Sequence, residues 1–130
     1  METIMVKGFH YILGKRGEEK AREFLVAHGY TIIAMNYVCP LGEIDIIARE
    51  KNILCFIEIK TRCSSQFGFP AEAINKKKQK KLIDVARFYL NQQRSPFNEY
   101  RFDIVEVFYD KGKDCFSEFT IIKDAFEVSG

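Results

Sequence analysis

The sequence predicts an α/β fold, with a mixed central sheet of about five strands flanked by helices. Three observations carry that expectation. Two stretches, Gly14 to His28 and Asn75 to Gln92, repeat apolar residues at helical spacing. Around them run short segments rich in β-branched and aromatic residues, punctuated by Gly, Pro and Asn turns. Within these, Ile53 to Ile57 is apolar on both faces, the pattern of a central strand covered on each side.

The elements follow in order. Met1 to Leu13 mixes apolar and aromatic residues without periodicity and is expected to be a partly ordered lead-in that packs on the sheet. From Gly14 the pattern is helical: Ala21, Phe24, Leu25 and His28 share a face, and Gly29 is a natural stop. Glu18 falls on the apolar side, where it either reaches solvent from a frayed first turn or crosses toward an acidic site. His28 reads as a helix-end or packing residue. Tyr30 to Val38 is the first strand, Cys39 to Gly42 a turn, and Glu43 to Arg49 the second strand. The polar turn Glu50, Lys51, Asn52 leads into a third strand, Ile53 to Thr61. Thr61 to Pro70 is a loop by composition, its hydroxyls and Arg62 being either ordinary loop polarity or a hold for phosphate.

Asn75 then caps a helix with the core stripe Leu82, Val85, Ala86 and Tyr89. Ser95 and Pro96 close its exit. Tyr100 to Tyr109 is a strand with Phe102 and Ile104 on one side, and Asp103 is expected to pair with Arg101 or another cation rather than bind metal. Asp110 to Asp114 is a turn, and Phe116 to Ile122 returns as an edge strand.

Charged residues inside the strands need a reason. By alternation Glu58 and Lys60 point one way while Ile57 and Ile59 point the other, and Asp45 projects opposite Ile44 and Ile46. One sheet face would then hold Asp45, Glu58 and Lys60 together. Buried charges survive only when they compensate one another or bind an ion, and Mg²⁺ favours one or two carboxylates with water and phosphate completing its shell. A lysine beside such an ion holds a water or counters developing charge. Glu43 shares the side of Asp45, as a third acid or as the solvent-facing strand start. The alternative for the whole cluster is a salt-bridged strand end.

An aspartate on one strand followed by Glu58-Ile59-Lys60 on the next resembles the PD-(D/E)XK nuclease superfamily, with its restriction-endonuclease-like three-layer fold. More narrowly, GKRGEEKA, GEIDIIA, FIEIKTR and RFDIVEV resemble the YraN-like family of small bacterial proteins, over Gly14 to Val107. Ile44 stands where the superfamily pattern usually has a proline. The resemblance implies Mg²⁺, or Mn²⁺, held by Asp45 and Glu58, with the Ile59 carbonyl as a candidate further donor. Lys60 would be the catalytic lysine and Glu18 a first-helix glutamate supporting the site.

The basic run KKKQKK, Lys76 to Lys81, is the main candidate for holding a nucleic-acid backbone, through Lys76, Lys77, Lys78 and Lys81 together with Arg62. Cations in a helix's first turn oppose its dipole unless an anion visits. Lys78 projects from the core-facing stripe toward the sheet, or else its stem snorkels past the core to solvent.

Composition sets the bounds. The 130 residues are expected to form one domain. Four cysteines without CxxC spacing read as reduced thiols of a cytoplasmic protein, and no apolar run is long enough to span a membrane. The net charge of +2 excludes a globally basic nucleic-acid binder, so affinity must come from local clustering. The expected function is Mg²⁺-dependent hydrolysis of nucleic acid, DNA ahead of RNA, with a homodimer as one route to cutting two strands. The alternatives are a non-cutting nucleic-acid-binding module and a protein-interaction domain with an internal ion-pair network.

Overall fold

The computed structural model describes residues 2–63, 74–93 and 97–128, leaving out the side chains of residues 2–10. The elements run α1 (Glu2–Ala27), β1 (Tyr30–Cys39), β2 (Gly42–Glu50), β3 (Ile53–Cys63), α2 (Lys76–Gln93), β4 (Glu99–Asp110) and β5 (Cys115–Ile122). The expected loop from Ser64 to Pro70 and the turn at Ser95 and Pro96 lie outside the described residues.

Among the described residues, the strands form one mixed sheet in sequence order, β1-β2-β3-β4-β5. Only β3 and β4 pair in parallel, and α2 is the crossover that a parallel pair requires. Each helix covers one face. Leu82, Val85, Ala86 and Tyr89 of α2 pack with Ile44, Ile47, Leu54, Phe56, Phe102 and Ile104, while Ala21 and Leu25 of α1 pack with Ile46, Ala48, Cys55, Ile57, Ile59, Val105 and Val107. The molecule is therefore a three-layer α/β arrangement, consistent with the restriction-endonuclease-like layout.

α1 approaches the sheet most closely at Gly17. A Cβ there would clash with Thr61 Oγ1 and press on Val107, so only glycine lets the helix lie this near β3 and β4. At its other end, α1 differs from the sequence expectation. The segment before Gly14 continues the helix from Glu2 instead of forming a loose lead-in. At the end of that segment Tyr11 and Ile12 are exposed and Leu13 is buried.

The β1-β2 hairpin contains the feature that positions the site. Asn36 has φ +51°, a conformation asparagine tolerates better than most residues. Across Asn36, Met35 packs on the α1 side and Tyr37 on the α2 side. On the partner strand, Ile46 and Ile44 divide in the same way across Asp45. Both strands therefore change faces at one level. Beyond it the hairpin tip fastens to α2, with Tyr37 edge-on to Tyr89 at 5.2 Å, and β2 pairs with β3 no further than Ile46 opposite Ile57.

Candidate functional site

Asp45 stands at that parting of β2 and β3. Alternation was expected to set it opposite both Ile44 and Ile46, but the face change puts those two isoleucines on different layers. The aspartate side chain instead lies along the sheet and its Oδ2 accepts the N–H of Ile59 at 2.9 Å. The carboxylate thus replaces the strand partner that Ile59 loses, which answers an otherwise unpaired backbone donor.

Glu58 and Lys60 flank Ile59 on β3. The residues between them and beside them, Ile57 and Ile59, bury toward α1, so Glu58 and Lys60 face α2 as alternation predicts. Glu58 is buried, at 7 % exposure. From α2, Lys78 reaches it, Nζ to Oε1 3.6 Å. Asn75 fixes the start of that helix, its Oδ1 accepting the Lys78 N–H at 2.8 Å. Lys60 is half-buried and makes no hydrogen bond or ion pair with other described residues.

The electrostatics join these residues into one group. Burial raises the Asp45 carboxyl above the usual range, Glu18 and Glu43 add to the rise, and the Ile59 N–H and Lys78 resist it. Burial, then the neighbouring Asp45, pushes Glu58 up to about 7 against the pull of Lys78 and Lys60. Two carboxyl groups that share a site oppose one another's ionisation, so the pair is short of positive charge.

A family model described as "Uncharacterised protein family UPF0102" matches residues 17–107, from the α1 glycine to the valine it faces. The chain belongs to the UPF0102 family. It is 48 % identical over 114 residues to a UPF0102 protein of Caldicellulosiruptor saccharolyticus, covering 88 % of this chain and 96 % of the relative. A UPF0102 protein of Chloroherpeton thalassium is 42 % identical over 120 residues, covering 88 % of this chain and 93 % of the relative. One of Clostridium kluyveri is 35 % identical, with 92 % and 98 % covered.

The remaining expected residues of this UPF0102 protein fall in different places. Glu18 is largely buried and pairs with Lys15 at 3.5 Å, influencing Asp45 through its charge rather than by contact. Glu43 is exposed at the strand start. Lys76, Lys77 and Lys81 are exposed on α2 and form no ion pair among the described residues. Arg62 belongs to β3 rather than to a loop, and its Nε donates to Glu106 Oε2 at 2.6 Å.

Glu106 stands out in the sequence as a charge inside a strand, but the sequence alone gives it no partner. It sits opposite Lys60 in the parallel register, is buried at 2 % exposure, and also accepts from Thr120 Oγ1 at 3.3 Å. Its signal was present as an acid inside an apolar strand, but the pairing of β3 with β4 was needed to place it.

A second buried charge group lies at the other end of the sheet. Arg101 donates from Nε to Asp103 at 2.9 Å and from a terminal nitrogen to Glu50 at 2.7 Å and Tyr30 at 3.1 Å, and Lys123 closes on Glu50 at 2.7 Å. The expected pairing of Asp103 with Arg101 is what the structure shows.

A divalent cation fits the UPF0102 donor set in one form. No cluster of three or more metal-ligating side chains occurs among the described residues, so a dehydrated protein cage is absent there. Asp45 and Glu58 supply two carboxylates that lack compensating charge, which suits an ion keeping most of its water. A cavity of about 500 Å³, lined by Arg49, Asn52, Phe97 and Glu99, sits apart from these residues, at the β2-β3 turn.

Proposed function

We propose that this UPF0102 protein is a Mg²⁺-dependent hydrolase of phosphodiester bonds in nucleic acid, DNA ahead of RNA, acting in the cytoplasm as one domain. The observation that carries the reading is the pair of half-buried Asp45 and buried Glu58, held at the split of two strands with less positive charge than it needs and with Lys60 beside it. The likeness of Asp45 and Glu58-Ile59-Lys60 to the PD-(D/E)XK pattern supports the same chemistry. Mn²⁺ would serve in place of Mg²⁺, and paired cutting of two strands would use two copies of the chain.

Asp45 and Glu58 hold the ion, which when bound supplies Lewis-acid polarisation of a phosphate oxygen and a more acidic water. Lys60 orients the attacking water and counters charge gathering on the phosphate. Glu18, through its effect on Asp45, adds negative potential that favours a cation. Lys76, Lys77, Lys78 and Lys81 line the approach along α2 and hold the backbone by charge, with little sequence readout. Arg62 contributes its terminal nitrogens while Glu106 holds its Nε.

A non-cutting binding module is the competing reading, favoured by one observation: Lys78 already answers part of the negative charge at Glu58. A titration of Mg²⁺ or Mn²⁺ against linear, nicked, flap and four-way DNA and against RNA separates the two. Cleavage that requires the ion and vanishes in Glu58→Ala is expected. Binding without turnover would leave the module, and full cleavage by purified Glu58→Ala would remove the assignment.

A further inference from the structure

Lys78 differs from its neighbours in the basic run. Lys76, Lys77 and Lys81 stand in solvent, and Lys80 pairs along its own helix with Asp84 at 3.9 Å. Lys78 alone leaves α2 for the sheet, with its side chain 39 % exposed and its ammonium beside a Glu58 carboxylate that is 9 % exposed. A lysine stem lying over a core usually delivers its charge to water. This one delivers it to the acid that the proposed chemistry needs for a cation.

Resting on the nuclease reading, we propose that Lys78 is an internal counter-ion of the site. In the free protein its ammonium stands beside Glu58 where a divalent cation would, and it is released to the phosphate backbone when cation and nucleic acid bind. The argument is one of exclusion. An ammonium within ion-pair distance of Glu58 repels a dication offered to the same carboxylate, and a partly buried setting screens that repulsion far less than water does.

Lys78 must therefore give up Glu58 before the ion is held well. Expelled without a partner, the ammonium gains nothing but water. Expelled toward a phosphate, it gains a charge-assisted contact. Each ligand lowers the cost of the other, and reciprocity requires that the cation strengthen nucleic-acid binding by the factor by which nucleic acid strengthens cation binding. The consequence is a site that loads its ion poorly until substrate is present.

The test is Mn²⁺ affinity measured by electron paramagnetic resonance on the full chain, without nucleic acid and then with a phosphorothioate DNA oligonucleotide chosen to resist hydrolysis. In the wild type the oligonucleotide should tighten Mn²⁺ binding. Lys78→Gln should bind Mn²⁺ about tenfold more tightly than wild type when DNA is absent, and should lose the further gain from the oligonucleotide. Lys78→Arg should keep the weak affinity and the gain, and Lys80→Gln, at a lysine that pairs along its own helix with Asp84, should resemble wild type. If Lys78→Gln binds Mn²⁺ like wild type while Glu58→Gln has lost it, the counter-ion role is overturned and the nuclease reading stands. If neither wild type nor Lys78→Gln takes up Mn²⁺ at Glu58, the nuclease reading falls and the counter-ion role falls with it.

Discussion

Two groups of charged side chains are buried in one sheet, and they are compensated differently. Around Arg101, the carboxylates of Asp103 and Glu50 meet two cations, a tyrosine hydroxyl and the backbone N–H of Asp124. Lys123 and Arg101 accordingly hold Glu50 below its usual range. Around Asp45 and Glu58, the contacts are one backbone N–H and one half-exposed lysine at 3.6 Å, and both carboxyls are driven upward. The acids are of the same types, one aspartate and one glutamate in each group. Closure of the charge network marks the first group as structural, and the second is left open, which is where the proposed cation would sit.

The sharpest way to break the comparison is to remove one charged side chain from each group. Glu58→Ala should reduce Mg²⁺-dependent cleavage by at least about a thousandfold, equivalent to about 4 kcal/mol, while circular dichroism shows the fold intact. Arg101→Met should do the reverse. By taking the buried Asp103 carboxylate's cation away, while Glu50 keeps Lys123, it should lower stability by about 3 kcal/mol in urea unfolding, with turnover per folded molecule retained.

Next in size is a pH effect. Because Glu58 is raised in the folded state, the folded chain binds its proton more tightly than the unfolded chain does. That stabilising share is complete below the unfolded value of 4.5 and is lost as pH rises through about 7. Glu58→Gln should therefore match wild-type stability near about pH 4 and exceed it by on the order of 2 kcal/mol near about pH 8, by denaturation at each pH. Equal curves at both pH values would mean that Glu58 is as well compensated as Glu50. The smallest effect expected is that of Asn75→Ala, which removes the cap on the turn carrying Lys78 and should cost about 1 kcal/mol in the same assay.

Much of this was legible from local pattern. The four residues proposed as the core stripe of the lysine-bearing helix are the four it buries, because helical spacing decides which side chains meet a sheet. The Asn75 cap and the Arg101-Asp103 pair were legible for a similar reason: their partners are within three residues. What stayed hidden depended on distant pairing. The link from Arg62 to Glu106 exists only once β3 and β4 lie parallel. The position of Asp45 was hidden for another reason, since strict alternation assumes an unbroken pleat and Asn36 breaks it.

That break has a mechanical side. Gly42 lies against Val85, Tyr37 against Tyr89, and Ile44 in the same apolar layer, so the tip of the hairpin is fastened to α2 while the rest of β2 is fastened to β3. Asn36 and Asp45 are the crease between the two halves. Any tilt of α2 away from the sheet would draw the tip with it and fold the molecule at that crease, altering the spacing between an acid on the fold line and one on the fixed strand.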